Sequence, residues 1–192
     1  MTRMLKDVNL PVRTERLALR RATVNDAEAV RAYKQHPDVS MWIPSDGTDP
    51  DDFRRRFCDP AKLAGTLVIE HESVVIGDVK IGIVDGWAQD EVSEHARGTE
   101  AELGWCLAPN AQGRGFAREA MREVLRLCFV DLELRRVTAE CYADNEPSWR
   151  LMERLGMRRE SHTVRDSLHR TLGWLDGMGY ALLAGEWEAR TQ

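Results

Sequence analysis

Cysteine pairs at metal-binding or redox spacing are missing: Cys58, Cys106, Cys128 and Cys141 stand far apart, with no Cys-x-x-Cys. His36, His71, His95, His162 and His169 share no ligand spacing of the His-Glu-x-x-His kind, so no metal is expected. The cysteines read as reduced thiols, three of them in apolar segments, and neither a disulfide framework nor a zinc site. No apolar run approaches the ~18 residues of a membrane span, and no N-terminal stretch has the apolar core of a secretory signal. The expectation is a cytoplasmic protein with no membrane partner. Basic excess is missing too, since 27 Lys and Arg face 32 Asp and Glu for a net charge of −5. That balance opposes a polyphosphate surface, excludes nucleic acid as a partner and suits a cationic substrate. Arg54-Arg55-Arg56, between Phe53 and Phe57, reads as a solvated helix face.

What is present is an ordinary globular composition, 43% hydrophobic and 31% charged over 192 residues. It suits one domain over residues 14–187, with a short arm at 1–13 and a tail at 188–192. "ERLALRRA" (15–22) alternates like a half-buried strand. "TVNDAEAVRAYKQHPD" then offers Asn25 or Asp26 as a helix cap and Pro37 as a stop, and Asp49-Pro50 starts a second helix. Two β-branched runs in 65–84, separated at Glu72-Ser73, predict an antiparallel hairpin. Residues 85–98 are polar and unpatterned, and 99–107 is a strand. The clearest helix is 116–130, with Ala120, Val124, Leu127 and Cys128 or Phe129 on one stripe. A strand (135–142), a helix (145–157, with Gly156 as its stop) and two strands around Gly173 close the chain. The fold class this order predicts is α+β, a mostly antiparallel sheet with packed helices.

The most informative stretch is "AQGRGFAREA" (111–120), where two glycines and an arginine stand in front of a strong helix. A glycine costs roughly 1 kcal/mol inside a helix and is permitted where the backbone turns sharply or approaches a ligand. A helix N-terminus preceded by such a loop attracts phosphate through unpaired N–H groups and the macrodipole, and Arg114, Arg118 and Arg122 can add charge. A diphosphate-bearing cofactor is the physical suggestion. The P-loop pattern fails because Arg118-Glu119 stand where Lys-Ser/Thr is required. The dinucleotide fingerprint fails because the third glycine is absent and an antiparallel hairpin precedes it.

Gln112, Gly115 and Ala117 match the Q/R-x-x-G-x-G/A signature, and with it the stretch resembles the GNAT acetyltransferase superfamily. "TERLALRRATVNDAEAV", "AELGWCLAPNAQGRGFAREA", "NEPSWRLMERLGM" and "VRDSLHRTLGWLDGMGYALLAGEW" are similar to successive blocks of its ribosomal-protein N-terminal (RimJ/RimL-type) branch, spanning about 14–187. The resemblance implies a GNAT-like mixed sheet with helices on both faces and acetyl-CoA held between splayed strands, here 99–107 and 135–142. It further implies a diphosphate on the amides of Gln112, Gly113, Arg114, Gly115, Phe116 and Ala117, and a carbonyl polarised by the N–H near Leu107 or Ala108.

The same resemblance gives Asn145 to the pantetheine arm and Ser148 to the departing thiolate. Both are also helix-capping types. Glu102 is the expected base, directly or through water; a structural carboxylate is the alternative. Asp166 and Asp176 match acidic positions that line an acceptor site or form turns, and Trp42, Ile43 and 85–98 lie where such enzymes bind the amine. The implied activity is acetyl transfer to a protein N-terminus or a small-molecule amine. A non-catalytic acyl-CoA sensor and another kind of nucleotide-binding enzyme are the alternatives. Tryptophans near the C-terminus, including Trp187, would mark a homodimer face.

Overall fold

The alternating leucines near the N-terminus form a strand shorter than the pattern predicts. β1 (Val12–Arg13) pairs antiparallel with β2 (Ala18–Arg21), and Arg16 lies in the turn between them. The computed structural model describes residues 3–191, so Met1, Thr2 and Gln192, in the expected arm and tail, lie outside the described residues. It divides into two compact units, one of residues 4–82 and 104–124, the other of residue 3 with 83–103 and 125–191.

In the first unit, the expected arm is packed: Leu5 and Val8 are buried, and the Arg21 guanidinium donates to the carbonyls of Leu5, Lys6 and Val8. Asp26, one of the two predicted caps, stands at the N-cap of α1 (Ala27–Lys34), though its side chain makes no cap bond to that helix. Thr23 opens a 3₁₀ turn ahead of it, and Asp26 accepts from the Thr23 N–H at 2.7 Å and hydroxyl at 2.9 Å. Asp26 also takes the Arg20 guanidinium at 2.7 Å, and that partner holds its carboxyl below the usual range against the opposing effect of burial. Pro37 ends α1 and also starts α2 (Pro37–Ser40), because its ring is tolerated in a first turn. The carboxylate of Asp49 caps α3 (Pro50–Phe57), and Asp59 caps α4 (Pro60–Ala64). Arg54, Arg55 and Arg56 are exposed while the rings of Phe53 and Phe57 stack at 5.8 Å, as the charge run predicts.

The predicted hairpin is β3 (Thr66–His71) and β4 (Val74–Val84), turning at Glu72 and Ser73 in the left-handed region (φ 51° and 65°). Its buried face carries one charge. Asp78 accepts from the Tyr33 hydroxyl at 2.5 Å and the Lys34 ammonium at 2.6 Å. Burial of this kind is tolerated only when paired, and deleting one partner typically costs about 3–5 kcal/mol. The adjacent Cys106 thiol is pushed up to about 12, first by burial and then by Asp78.

The other unit holds α5 (Ser93–Ala96) within the polar stretch, then the start of β5 (Glu100–Leu107), paired in parallel with β6 (Arg136–Tyr142) from Glu100↔Arg136 to Glu102↔Thr138. α6 (Phe116–Arg126) opens in the first unit, and its expected stripe is buried. Its continuation, Leu127–Asp131, is π-helical. α7 (Glu146–Arg154) ends before Gly156, whose φ of 85° supports the predicted stop. β7 (Arg158–His169) and β8 (Gly173–Leu183) form the closing hairpin, with β8 also paired to β6. The second strand was expected to run to 187; instead α8 (Ala184–Thr191) begins at Ala184. Trp187, expected to be exposed, is half-buried, with its ring 5.7 Å from that of Phe129. The eight strands among the described residues are hydrogen-bonded in the order β1-β2-β3-β4-β5-β6-β8-β7, mostly antiparallel, so the α+β expectation holds.

Candidate active site

The glycine loop starts where β5 runs out. Pro109–Ala111 makes one 3₁₀ turn, after which Gln112 is extended and its side-chain amide donates back to the Leu107 carbonyl at 3.1 Å. Gln112 therefore ties the loop to the strand. Gly113 and Gly115 have φ of 71° and 81°, a conformation that costs an L-residue about 1 kcal/mol or more. Gly113, Arg114 and Gly115 are exposed, and a Cβ on Gly113 would meet nothing within 4 Å. Open space in front of the backbone, at the start of an 11-residue helix, suits a diphosphate on both steric and electrostatic grounds.

Phe116 behaves differently from its neighbours. It is 1% exposed, with its ring 4.7 Å from the His71 ring and under the guanidiniums of Arg16 (4.5 Å) and Arg114 (4.7 Å). Its side chain is therefore closed to a ligand. Ala117, half-buried, follows in the first turn. At the end of β5, the Ala108 N–H donates to the Ile76 carbonyl at 2.8 Å. That amide is committed to the sheet.

Three residues of this loop's support were missed in the sequence. Glu119, read as part of a polar stripe, accepts from the Thr14 hydroxyl at 2.6 Å, the Arg16 N–H at 2.8 Å and Arg16 Nε at 2.7 Å. Burial opposes its charge, but these donors outweigh it and hold Glu119 below the usual glutamate range. The "TER" triplet carries Thr14 and Arg16 but gives no sign of their partner, 103 residues away from Arg16.

The other expected residues belong to the second unit. Glu102 is exposed on β5, between buried Ala101 and Leu103, as alternation predicts. Asn145 opens α7 without a side-chain cap bond; its carbonyl accepts from the Ser148 N–H at 3.1 Å. The capping role that competes with a functional one is thus not what its side chain does. Ser148 hydrogen-bonds to Cys141 on β6; burial pushes that thiol up to about 11, and the Ser148 hydroxyl pulls against it. Trp149 is half-buried and donates Nε1 to the Ala143 carbonyl at 3.1 Å. On the closing hairpin, Asp176 meets His162 Nε2 at 2.9 Å and the Arg165 N–H at 3.0 Å, at a bulge where Arg165 has φ of 49°. The His162 hydrogen bond, then that backbone donor, hold the Asp176 carboxyl below the usual range. Asp166 accepts from the Ser167 hydroxyl at 2.8 Å. Arg165, Leu172 and Trp174 line an open cleft of about 530 Å³ beside them.

Among the described residues no group of three or more His, Cys, Asp or Glu is arranged to hold a metal. No described helix is long and apolar enough to cross a membrane.

Comparison with known proteins agrees with the loop geometry. Residues 16–158 match the family described as "Acetyltransferase (GNAT) domain". The chain is 29% identical over 180 residues to the uncharacterized N-acetyltransferase YnaD of Bacillus subtilis, covering 92% of this chain and 98% of that protein. A solved GNAT-family acetyltransferase from Bacillus anthracis superposes with a TM-score of 0.76 at 29% identity, over 91% of this chain and 99% of that one. RimJ of Mycobacterium smegmatis, solved in complex with CoA-disulfide, shares the fold at a TM-score of 0.69 and 22% identity, over 91% of this chain and 89% of that one. With two left-handed glycines ahead of α6 and this family match over most of its length, the chain belongs to the GNAT acetyltransferase family.

Proposed function

We propose that the protein, acting over 14–187 as one catalytic domain, transfers the acetyl group of acetyl-CoA to a primary amine by direct attack in a ternary complex. The acceptor is a protein N-terminal α-amine or a small-molecule amine. The observation that carries this reading is the exposed stretch 112–115, with two left-handed glycines opening α6. Its amides hold the diphosphate, and Arg114 adds charge beside them. Asn145, whose side chain makes no cap bond, contacts the pantetheine arm.

In the transfer itself, the N–H of Leu107 polarises the thioester carbonyl as the amine nitrogen bonds to its carbon. The nitrogen gives up its proton to Glu102 through water, a route consistent with the exposure of that carboxylate. The carbon–sulfur bond breaks, and the Ser148 hydroxyl protonates the departing sulfur as it takes a proton back from solvent. A net charge of −5 favours a cationic acceptor. Four free cysteines fit a cytoplasmic location. A homodimer remains part of the reading, tested by mass in solution.

Release of free thiol from acetyl-CoA with a panel of peptides, polyamines and amino acids tests the proposal. Turnover with at least one amine is expected. Tight CoA binding with no turnover on any amine would instead make the protein an acyl-CoA sensor.

A further inference from the structure

Arg16 sits in the β1–β2 turn yet touches Arg114, Phe116 and Glu119 at the start of α6. Its Nη1 donates to the Arg114 carbonyl at 3.1 Å, and Nε and Nη2 both reach Glu119 Oε2 at 2.7 Å. Its guanidinium lies 4.5 Å from the Phe116 ring centroid. Its Nη2 stands 3.4 Å from where a Cβ on Gly115 would be. The Glu119 carboxylate is mostly buried while the Arg16 guanidinium is exposed, and the pair contributes to holding the β1–β2 turn on α6. The bond to the Arg114 carbonyl has a more specific consequence. In a trans peptide the C=O and N–H point in opposite directions, so fixing the Arg114 oxygen also fixes the direction of the Gly115 N–H. With glycine on its C-terminal side that peptide would otherwise reorient readily, and a donor that must be ordered by its ligand binds more weakly.

We propose that Arg16 is the positioning residue of the diphosphate loop, holding the Arg114–Gly115 peptide so that the Gly115 N–H is presented to the ligand. The inference rests on the reading that this loop takes CoA. Glu119 neutralises Arg16 and orients it, so the effect depends on the shape of the guanidinium fork and not on charge alone.

The test compares wild type, Arg16→Ala and Arg16→Lys with two thioesters, acetyl-CoA and S-acetylpantetheine, which lacks the diphosphate. Arg16→Ala is expected to raise KM for acetyl-CoA about tenfold with kcat changed less than about twofold. Arg16→Lys is expected to recover little of that loss, and kcat/KM for S-acetylpantetheine should stay within about twofold of wild type in both variants. Unchanged KM for acetyl-CoA, full rescue by lysine, or an equal loss with S-acetylpantetheine would each overturn the inference. Should the alanine variant fail to fold, the lysine variant carries the comparison, its folding checked by its turnover of S-acetylpantetheine. Failure of the wild type itself to use acetyl-CoA would sink the underlying reading instead.

Discussion

The glycine loop and the β7–β8 hairpin both face solvent, but they expose different things. The loop offers backbone, with Gly113 and Gly115 exposed while Phe116 is buried beneath. The hairpin offers side chains: Val164 is 77% exposed, Leu168 60% and Trp174 58%, around the His162–Asp176 pair. Backbone recognition needs particular torsions and so imposes glycine, which leaves a motif. Side-chain recognition imposes no such pattern. On our reading, the half of the reaction shared across the family is carried by the loop, and the half particular to this chain is carried by side chains such as those of the hairpin.

Breaking the loop should have the largest effect. Gly115→Glu forces an L-residue to φ of 81° and places a negative charge against the diphosphate, so CoA affinity should fall at least about 100-fold, roughly 2.7 kcal/mol. Titration calorimetry checks this, and unchanged affinity would remove the loop as the site. Ser148→Ala should lower kcat by about 10- to 100-fold with KM for acetyl-CoA within about twofold, the signature of a group acting in the transition state. Loss of affinity without loss of turnover would make Ser148 a binding residue only.

A hairpin substitution should separate the two regions. Asp176→Asn is expected to raise KM for the amine by about threefold while leaving that for acetyl-CoA unchanged. Steady-state kinetics with each substrate varied in turn would read this, and an effect on acetyl-CoA alone would contradict it. The smallest effect concerns Glu119. Because its carboxyl is held below the ordinary value of 4.5 in the folded protein, it stabilises the fold above that pH and ceases to do so as pH falls through its lowered value. The difference in Tm between wild type and Glu119→Gln should therefore be present at neutral pH and vanish in acid. A difference independent of pH would mean that the ion pair is not its origin.

Local rules made most of the fold legible. Asp49-Pro50 started a helix, Gly156 ended one, and the β3–β4 turn fell at Glu72-Ser73 although neither residue is glycine. What the sequence left out was the second role of residues with two local solutions. Pro37 follows the end of α1, as read, and also starts α2, while Asp26 stands at the N-cap of α1 but gives its carboxylate to Thr23 and Arg20. At the site, the loop could be read because its torsions demand particular residues. Arg16 and Glu119 could not, since alternation assigned one to a strand face and helical periodicity assigned the other to a surface stripe. Their pairing across 103 residues exists only once the chain has folded.

The central claim is that the amides opening α6 hold the diphosphate of CoA. The most direct measurement follows the ¹⁵N–¹H resonances of the labelled protein as CoA or S-acetylpantetheine is added. The account predicts large shifts at Gly113, Arg114, Gly115, Phe116 and Ala117 with CoA and only small ones there with the pantetheine thioester. Equal shifts with both ligands, or shifts with CoA confined to other parts of the chain, would contradict it.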